Sequence, residues 1–187
     1  MVEDAGAAAV AVHGRTAAQS YTGESDWSLI ARVAESLSIP VFGSGDCVEP
    51  GQIVDRLMNH GVGGVLVGRG ALRNPWIFSQ ASAAARGDAP MHASRAERGQ
   101  FLLDYIDLLL AERVDEAEGF RHEAPSRPDA APERVPAPAR GRERWVINKL
   151  RALCSWYTKG FEGGSQLRVS INSAESIAHL RDIIENF

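Results

Sequence analysis

Residues 40–78 read PVFGSGDCVEPGQIVDRLMNHGVGGVLVGRGALRNPWIF, and this stretch decides the fold. Two short apolar runs, Pro40 to Phe42 and Gly64 to Val67, each end in a glycine-rich turn, Gly43-Ser44-Gly45-Asp46 and Gly68-Arg69-Gly70. Each turn leads into a segment with helical spacing, which makes two strand-turn-helix units in tandem. Glycine lets backbone come close to a ligand, and amide groups at the start of a helix attract anions, so two such turns side by side suit a phosphate. In a (β/α)8 barrel the loops after strands seven and eight often form such a pocket, and the two turns are assigned to them.

Working outward toward the N-terminus, Val2 to Gly6 reads as the tail of a helix with a glycine stop, and Ala8 to Val12 as a strand. His13-Gly14-Arg15-Thr16 follows that strand, and Trp27, Ile30, Ala34 and Leu37 then recur at helical spacing, giving a third βα unit. The second helix has Pro50 in its first turn, is expected to turn Ile53, Val54, Leu57 and Met58 inward, and stops at His60-Gly61. The third is expected to open at Asn74-Pro75 and to bury Trp76, Ile77 and Phe78. Three βα units do not close a barrel. The fold class is therefore α/β: the C-terminal part of a (β/α)8 barrel over residues 1–87, followed by a small helical domain over 88–187.

In that second part Ser94 to Glu97 forms a capping box, and Leu102, Tyr105, Ile106, Leu109 and Leu110 give an apolar stripe reaching about Val114. The stretch 115–142, with EAPSRPDAAPERVPAPARGR at its end, is rich in proline, alanine and charge and reads as a flexible insertion. Helical periodicity returns at RWVINKLRALCSWYTKG. Val146, Leu150, Leu153 and Tyr157 make its apolar face, Arg144, Asn148, Arg151, Ser155 and Lys159 its polar one, and Gly160 ends it. A last helix is expected with Ser173 as its N-cap and Ile177, Leu180, Ile184 and Phe187 inward.

The 187 residues, 44% hydrophobic, suffice for a substantial core. Cys47 and Cys154 are the only two cysteines and match no metal-ligand spacing, so neither a disulfide framework nor a metal site is expected, and the redox setting is a reducing cytosol. No apolar run approaches the ~20 residues of a membrane span, and the N-terminus lacks the pattern of a signal peptide, so the expected address is the cytoplasm. Charge is uneven: Met1 to Pro50 carries seven acidic side chains against Arg15 and Arg32, a net −5, whereas Arg142 to Arg168 carries a net +4. A polyanion would meet the C-terminal part first.

HGRT after one strand, GSGD after the next, GVLVGRGALRNPWIF after the third, and WYTKG, LR and IN within CSWYTKGFEGGSQLRVSIN together resemble the C-terminal half of a bacterial tRNA-dihydrouridine synthase. The resemblance covers roughly Val2 to Phe78 and Arg144 to Phe187. Each motif alone is weak, and their order makes them specific. The resemblance implies an FMN-dependent enzyme that reduces the 5,6 double bond of uridines in tRNA, with NADPH as reductant, no DNA or membrane partner, and a monomeric full-length form. It implies that His13 contacts the flavin and that Ser44, Gly45, Asp46, Gly68 and Arg69 hold FMN. Arg15 would meet the flavin or an extruded base, and Arg144, Arg151 and Lys159 would grip tRNA.

Two departures accompany it. Ser44 stands where the family usually has asparagine. The family's catalytic cysteine and a flavin-contacting lysine lie in an earlier barrel segment absent from this sequence, so no catalytic residue is assigned and the chain is expected to be N-terminally truncated. Two other readings of the same residues are a phosphate-binding barrel enzyme acting on a small sugar phosphate and a non-catalytic RNA-binding remnant. For single residues the plainer alternatives are a buried inert thiol at Cys47, a solvent-facing His13, an Arg15 that simply caps a surface, an Arg69 paired with an acidic neighbour, and a merely solvated basic helix face.

Overall fold

The structure, a computed structural model, describes residues 2–20, 22–111 and 139–187. It divides into two units, Met1–Ala93 and Ser94–Phe187, so the division falls later than the Gly87 expected from sequence.

The first unit is α/β. Strands β1 (Val10–His13), β2 (Val41–Ser44) and β3 (Gly64–Leu66) form a parallel sheet in that spatial order. Helix α1 (Trp27–Ser36) connects the first pair, α2 (Pro50–Asn59) the second, and α3 (Arg69–Arg73) and α4 (Ile77–Arg86) follow β3. Local chemistry sets the boundaries. The Asp26 carboxylate accepts the Leu29 amide and caps α1, while Glu49 and Gln52 form a reciprocal capping box around Pro50 at the head of α2. Trp27, Ile30, Val41, Ile53, Val62, Ile77 and Ala81 form the core against which the sheet is laid.

Three expectations are corrected here. Val2 to Gly6 forms turns, with Gly6 at φ 84°, instead of a helix tail. On α2 only Ile53 is buried outright; Leu57 and Met58 are 42% and 76% exposed, because the inward face is narrower than the apolar spacing suggests. Asn74 closes α3 instead of opening the next helix: its amide donates to the Gly70 carbonyl and its side-chain Nδ2 donates to Gln80. Helix α4 therefore starts at Ile77, which is buried, and Phe78 turns outward at 51% exposure.

The second unit is helical: α5 (Arg95–Ala111), α6 (Ala139–Tyr157), α7 (Gly164–Ser173) and α8 (Ile177–Glu185). Ser94 and Glu97 make the expected capping box at the head of α5. Leu102, Ile106, Val146, Leu150, Tyr157, Ile171 and Leu180 are fully enclosed, with Leu110 left 41% exposed. The expected insertion and the end of the α5 stripe lie largely outside the described residues, and α6 already includes Arg142. The expected last helix is α8, and α7, which was not expected, precedes it. Ser173 ends α7, and Ser176 is the N-cap of α8, its hydroxyl accepting the His179 amide. Among the described residues no helix is long and apolar enough to cross a membrane.

Candidate functional site

Parallel pairing aligns the C-terminal ends of the strands, with His13 opposite Ser44 and Ser44 opposite Leu66. The turns after all three strands therefore rise from one edge of the sheet. A cavity of 170 Å³ opens there, lined by His13, Ser44, Gly45, Asp46, Cys47, Val48, Leu66, Gly68, Arg69 and Gly70. All six residues expected from sequence to hold a cofactor are in that lining.

Within the lining, His13 Nδ1 and Ser44 Oγ lie 3.2 Å apart. Gly45 has φ 133° and Asp46 has φ 51°, a pair of left-handed positions that swings the Asp46 carboxylate toward the first and third turns. There it meets two arginines. Arg15 Nη2 donates to Oδ1 at 2.8 Å and to Oδ2 at 2.6 Å, Arg69 Nη2 donates to Oδ1 at 3.3 Å, and the Ser25 amide adds a bond to Oδ2 at 2.7 Å. Burial pushes the carboxyl up, but the Arg15 and Ser25 hydrogen bonds outweigh it and hold Asp46 below its ordinary range.

Arg15, expected to face flavin or substrate, is placed elsewhere. Its side chain is only 3% exposed and does not line the cavity. It is held by the Thr22 and Gly23 carbonyls as well as by Asp46, so its guanidinium fastens the first turn to the second. Arg69 is one-third exposed and faces the cavity while also engaging Asp46. The pairing with an acidic neighbour and the ligand-facing position thus coexist.

Sequence reasoning did not register the support beneath the turns. Trp27 Nε1 donates to the Gly45 carbonyl at 2.9 Å, and the Trp27 ring occupies the space a Cβ on Gly43 would need. The signal was present as glycine where a strand-end side chain is normal. Cys47 is buried, burial raises its thiol pKa, and Sγ donates to the Gly45 carbonyl. The inert reading of this cysteine fits that setting.

In the helical unit, Arg144, Asn148 and Ser155 are exposed along α6 as the spacing requires, and Lys159 is exposed in the turn that follows it. A groove of 610 Å³ is lined by Gly141, Glu143, Arg144, Ile147, Arg151, Ala174 and Glu175. Arg151 has a structural task there: Nη2 donates to the Asn172 and Ala174 carbonyls, each at 2.9 Å, and so caps the end of α7. Lys159 lies in the turn after α6, its Nζ 4.0 Å from the centre of the Trp156 ring. Arg144 and Arg151 therefore share a groove that Lys159 does not line.

A sequence model of the family described as Dihydrouridine synthase (Dus) matches residues 1–127. Among curated proteins, a probable tRNA-dihydrouridine synthase of Mycobacterium tuberculosis is 32% identical over 187 residues, covering 99% of this chain and 41% of the relative. A tRNA-dihydrouridine synthase B of Pseudomonas putida is 29% identical over 175 residues, covering 94% of this chain and 44% of the relative. A tRNA-dihydrouridine(47) synthase [NAD(P)(+)] of Coprinopsis cinerea is 35% identical over 111 residues, 54% of this chain and 16% of the relative. The chain thus spans well under half the length of these relatives.

Proposed function

This chain belongs to the dihydrouridine synthase family, and on that premise we propose that it supplies the cofactor-phosphate pocket and RNA-holding helices of an FMN-dependent enzyme reducing specific uridines in tRNA to 5,6-dihydrouridine. In this reading the three parallel βα units are the last units of a (β/α)8 barrel, and the strand ends carry the site. The single observation that carries it is the convergence of His13, Ser44, Gly45, Asp46, Gly68 and Arg69 on one cavity.

The residues present fit a phosphate monoester. At 170 Å³ the cavity is smaller than the ~300–1,000 Å³ of pockets that enclose whole drug-sized ligands, which suits the phosphate end of a nucleotide-like cofactor. Arg69 supplies a fork of donors matched to phosphate oxygens, Ser44 a hydroxyl, and Gly68 an exposed backbone with open space above its Cα. His13, in the same lining with its Nδ1 3.2 Å from Ser44 Oγ, would contact the flavin of a bound cofactor. FMN, when bound, supplies the hydride to the uracil ring, and the reductant is a nicotinamide, NADPH, in keeping with the NAD(P)(+) of the Coprinopsis relative's name. Neither cysteine is placed as a proton donor, since both are buried with thiol pKa values pushed up by burial.

On the RNA side, Arg144 and Lys159 meet phosphates while Arg151 braces the groove beside them. In this reading the full-length form works as a monomer in the cytoplasm. The test is a titration with FMN, followed by quenching of flavin fluorescence, of a form that carries the complete barrel, then NADPH oxidation with unmodified tRNA. Saturable FMN binding displaced by inorganic phosphate is expected of that form, and its failure to bind FMN overturns the cofactor assignment.

A further inference from the structure

We propose that the buried Arg15 sets the charge of the cavity: by neutralising Asp46 from behind, it leaves Arg69 cationic toward a bound phosphate monoester, and so acts as a positioning residue that never touches the ligand. The proposal rests on the phosphate-pocket reading above.

The distances rank the two arginines. Charge-assisted N–H to carboxylate bonds run at ~2.7–2.9 Å, so the Arg15 contacts of 2.8 and 2.6 Å are at full strength and the Arg69 contact of 3.3 Å is beyond it. The formal charges of Arg15, Asp46 and Arg69 sum to one positive charge. Remove Arg15 and they sum to zero, with Arg69, among the described residues, left to balance Asp46 and drawn toward it. Arg15 lies outside the cavity lining and is 3% exposed, so it acts only through Asp46. Among the described residues its Nη1 is buried without a hydrogen-bond partner. Its Nε and Nη2 hold the Thr22 and Gly23 carbonyls and Asp46, so the position supplies a fastening of the first turn as well as a positive charge beside Asp46. Asp46, counted from sequence among the cofactor-holding residues, becomes the link through which Arg15 acts.

The experiment is FMN titration, with inorganic phosphate and phosphate-free riboflavin as separate probes, on a form that carries the complete barrel, as wild type, Arg15→Met, Asp46→Asn and the double variant. Arg15→Met is expected to weaken FMN and phosphate binding by about tenfold, the scale of one charge-assisted hydrogen bond, with riboflavin binding unchanged. Asp46→Asn removes the competitor for Arg69 and is expected to bind both phosphate probes as well as wild type or better. In the double variant binding returns to within about threefold of wild type, the non-additivity that marks two residues acting as a unit. If Arg15→Met does not fold, Asp46→Asn still decides, because a carboxylate that itself holds the ligand or merely shapes the loop predicts weaker binding. A double variant no better than Arg15→Met, or an Asp46→Asn variant that loses phosphate, overturns the proposal. A wild-type form that binds neither FMN nor phosphate overturns the pocket reading together with it, whereas FMN binding indifferent to Arg15 overturns this proposal alone.

Discussion

The indole of Trp27 and the backbone of Gly45 are joined directly: Nε1 donates to the Gly45 carbonyl at 2.9 Å, from a ring that is 4% exposed. One aromatic side chain at the start of α1 thereby supports the left-handed turn that carries Asp46. Its ring lies over Gly43, where an added Cβ would come within 2.7 Å of Cη2.

Gly43→Ala should therefore push Trp27 off its seat and cost about 1–3 kcal/mol of stability, the range for overpacking a closed core. Gly51→Ala, in α2 with nothing within 4 Å of the added atom, should be neutral or stabilising by up to ~1 kcal/mol. Urea denaturation of both variants checks the contrast. Equal effects would mean that the Trp27 seat is not what requires glycine at position 43.

Much of this arrangement was legible in the sequence, and the limits have identifiable causes. The three βα units and the convergence of HGRT, GSGD and GRG follow from strand alternation with glycine turns, because parallel strands must present their C-terminal ends on one edge. The Arg15 placement was not legible, since an arginine after a strand end reads the same whether it points to solvent or folds back; only Asp46 at φ 51°, an unusual conformation for a non-glycine residue, decides that. Ser173 and Ser176 both precede apolar residues at helical spacing, and the choice between them rests on Ala174, whose 1% exposure turns the α7–α8 corner inward. Leu57 and Met58 failed as core residues because helical spacing gives a face and not its width.

The Asp46 carboxyl makes a pH prediction with a definite sign. Its folded value lies below the ordinary 3.8, so its charged form stabilises the fold above that pH, and the stabilisation is lost as pH falls through the lowered value. The stability difference between wild type and Asp46→Asn should be constant near neutrality and shrink progressively below about pH 4. Guanidinium midpoints across the acid range provide the measurement. A difference unchanged at the lowest pH would show that Asp46 acts by shape alone.

The cysteines give the opposite sign. Burial raises Cys154 from 9.0 to about 12, so the neutral thiol's contribution is present below 9.0 and lost as pH rises toward 12. Cys47 is raised in the same direction by the same cause. Iodoacetamide at about pH 8 should label neither in the native chain and both in denaturant, because the thiolate is the reacting form. Rapid native labelling of Cys47 would contradict its inert placement and reopen a role for it at the cavity.

The last prediction separates structure from RNA contact on α6 and the turn after it. Arg151 Nη2 holds the Asn172 and Ala174 carbonyls, whereas Arg144 and Lys159 are exposed, so the three cations should behave as two classes. Arg151→Ala removes two charge-assisted bonds at the end of α7 and should lower stability by about 2 kcal/mol, discounted from the buried range because the side chain is partly exposed. Arg144→Gln with Lys159→Gln should leave the melting temperature nearly unchanged. If each contacts a phosphate, the pair should weaken tRNA binding across sequences and make the slope of log K against log salt shallower by ~1.4–1.8, from ~0.7–0.9 per contact. Filter binding of unmodified tRNA between low and moderate salt, beside thermal melts, reads both quantities on the same samples. A salt slope that changes only in Arg151→Ala would place the RNA contact in the groove beside α7 and α8, and one that changes in neither would leave the face as solvated surface.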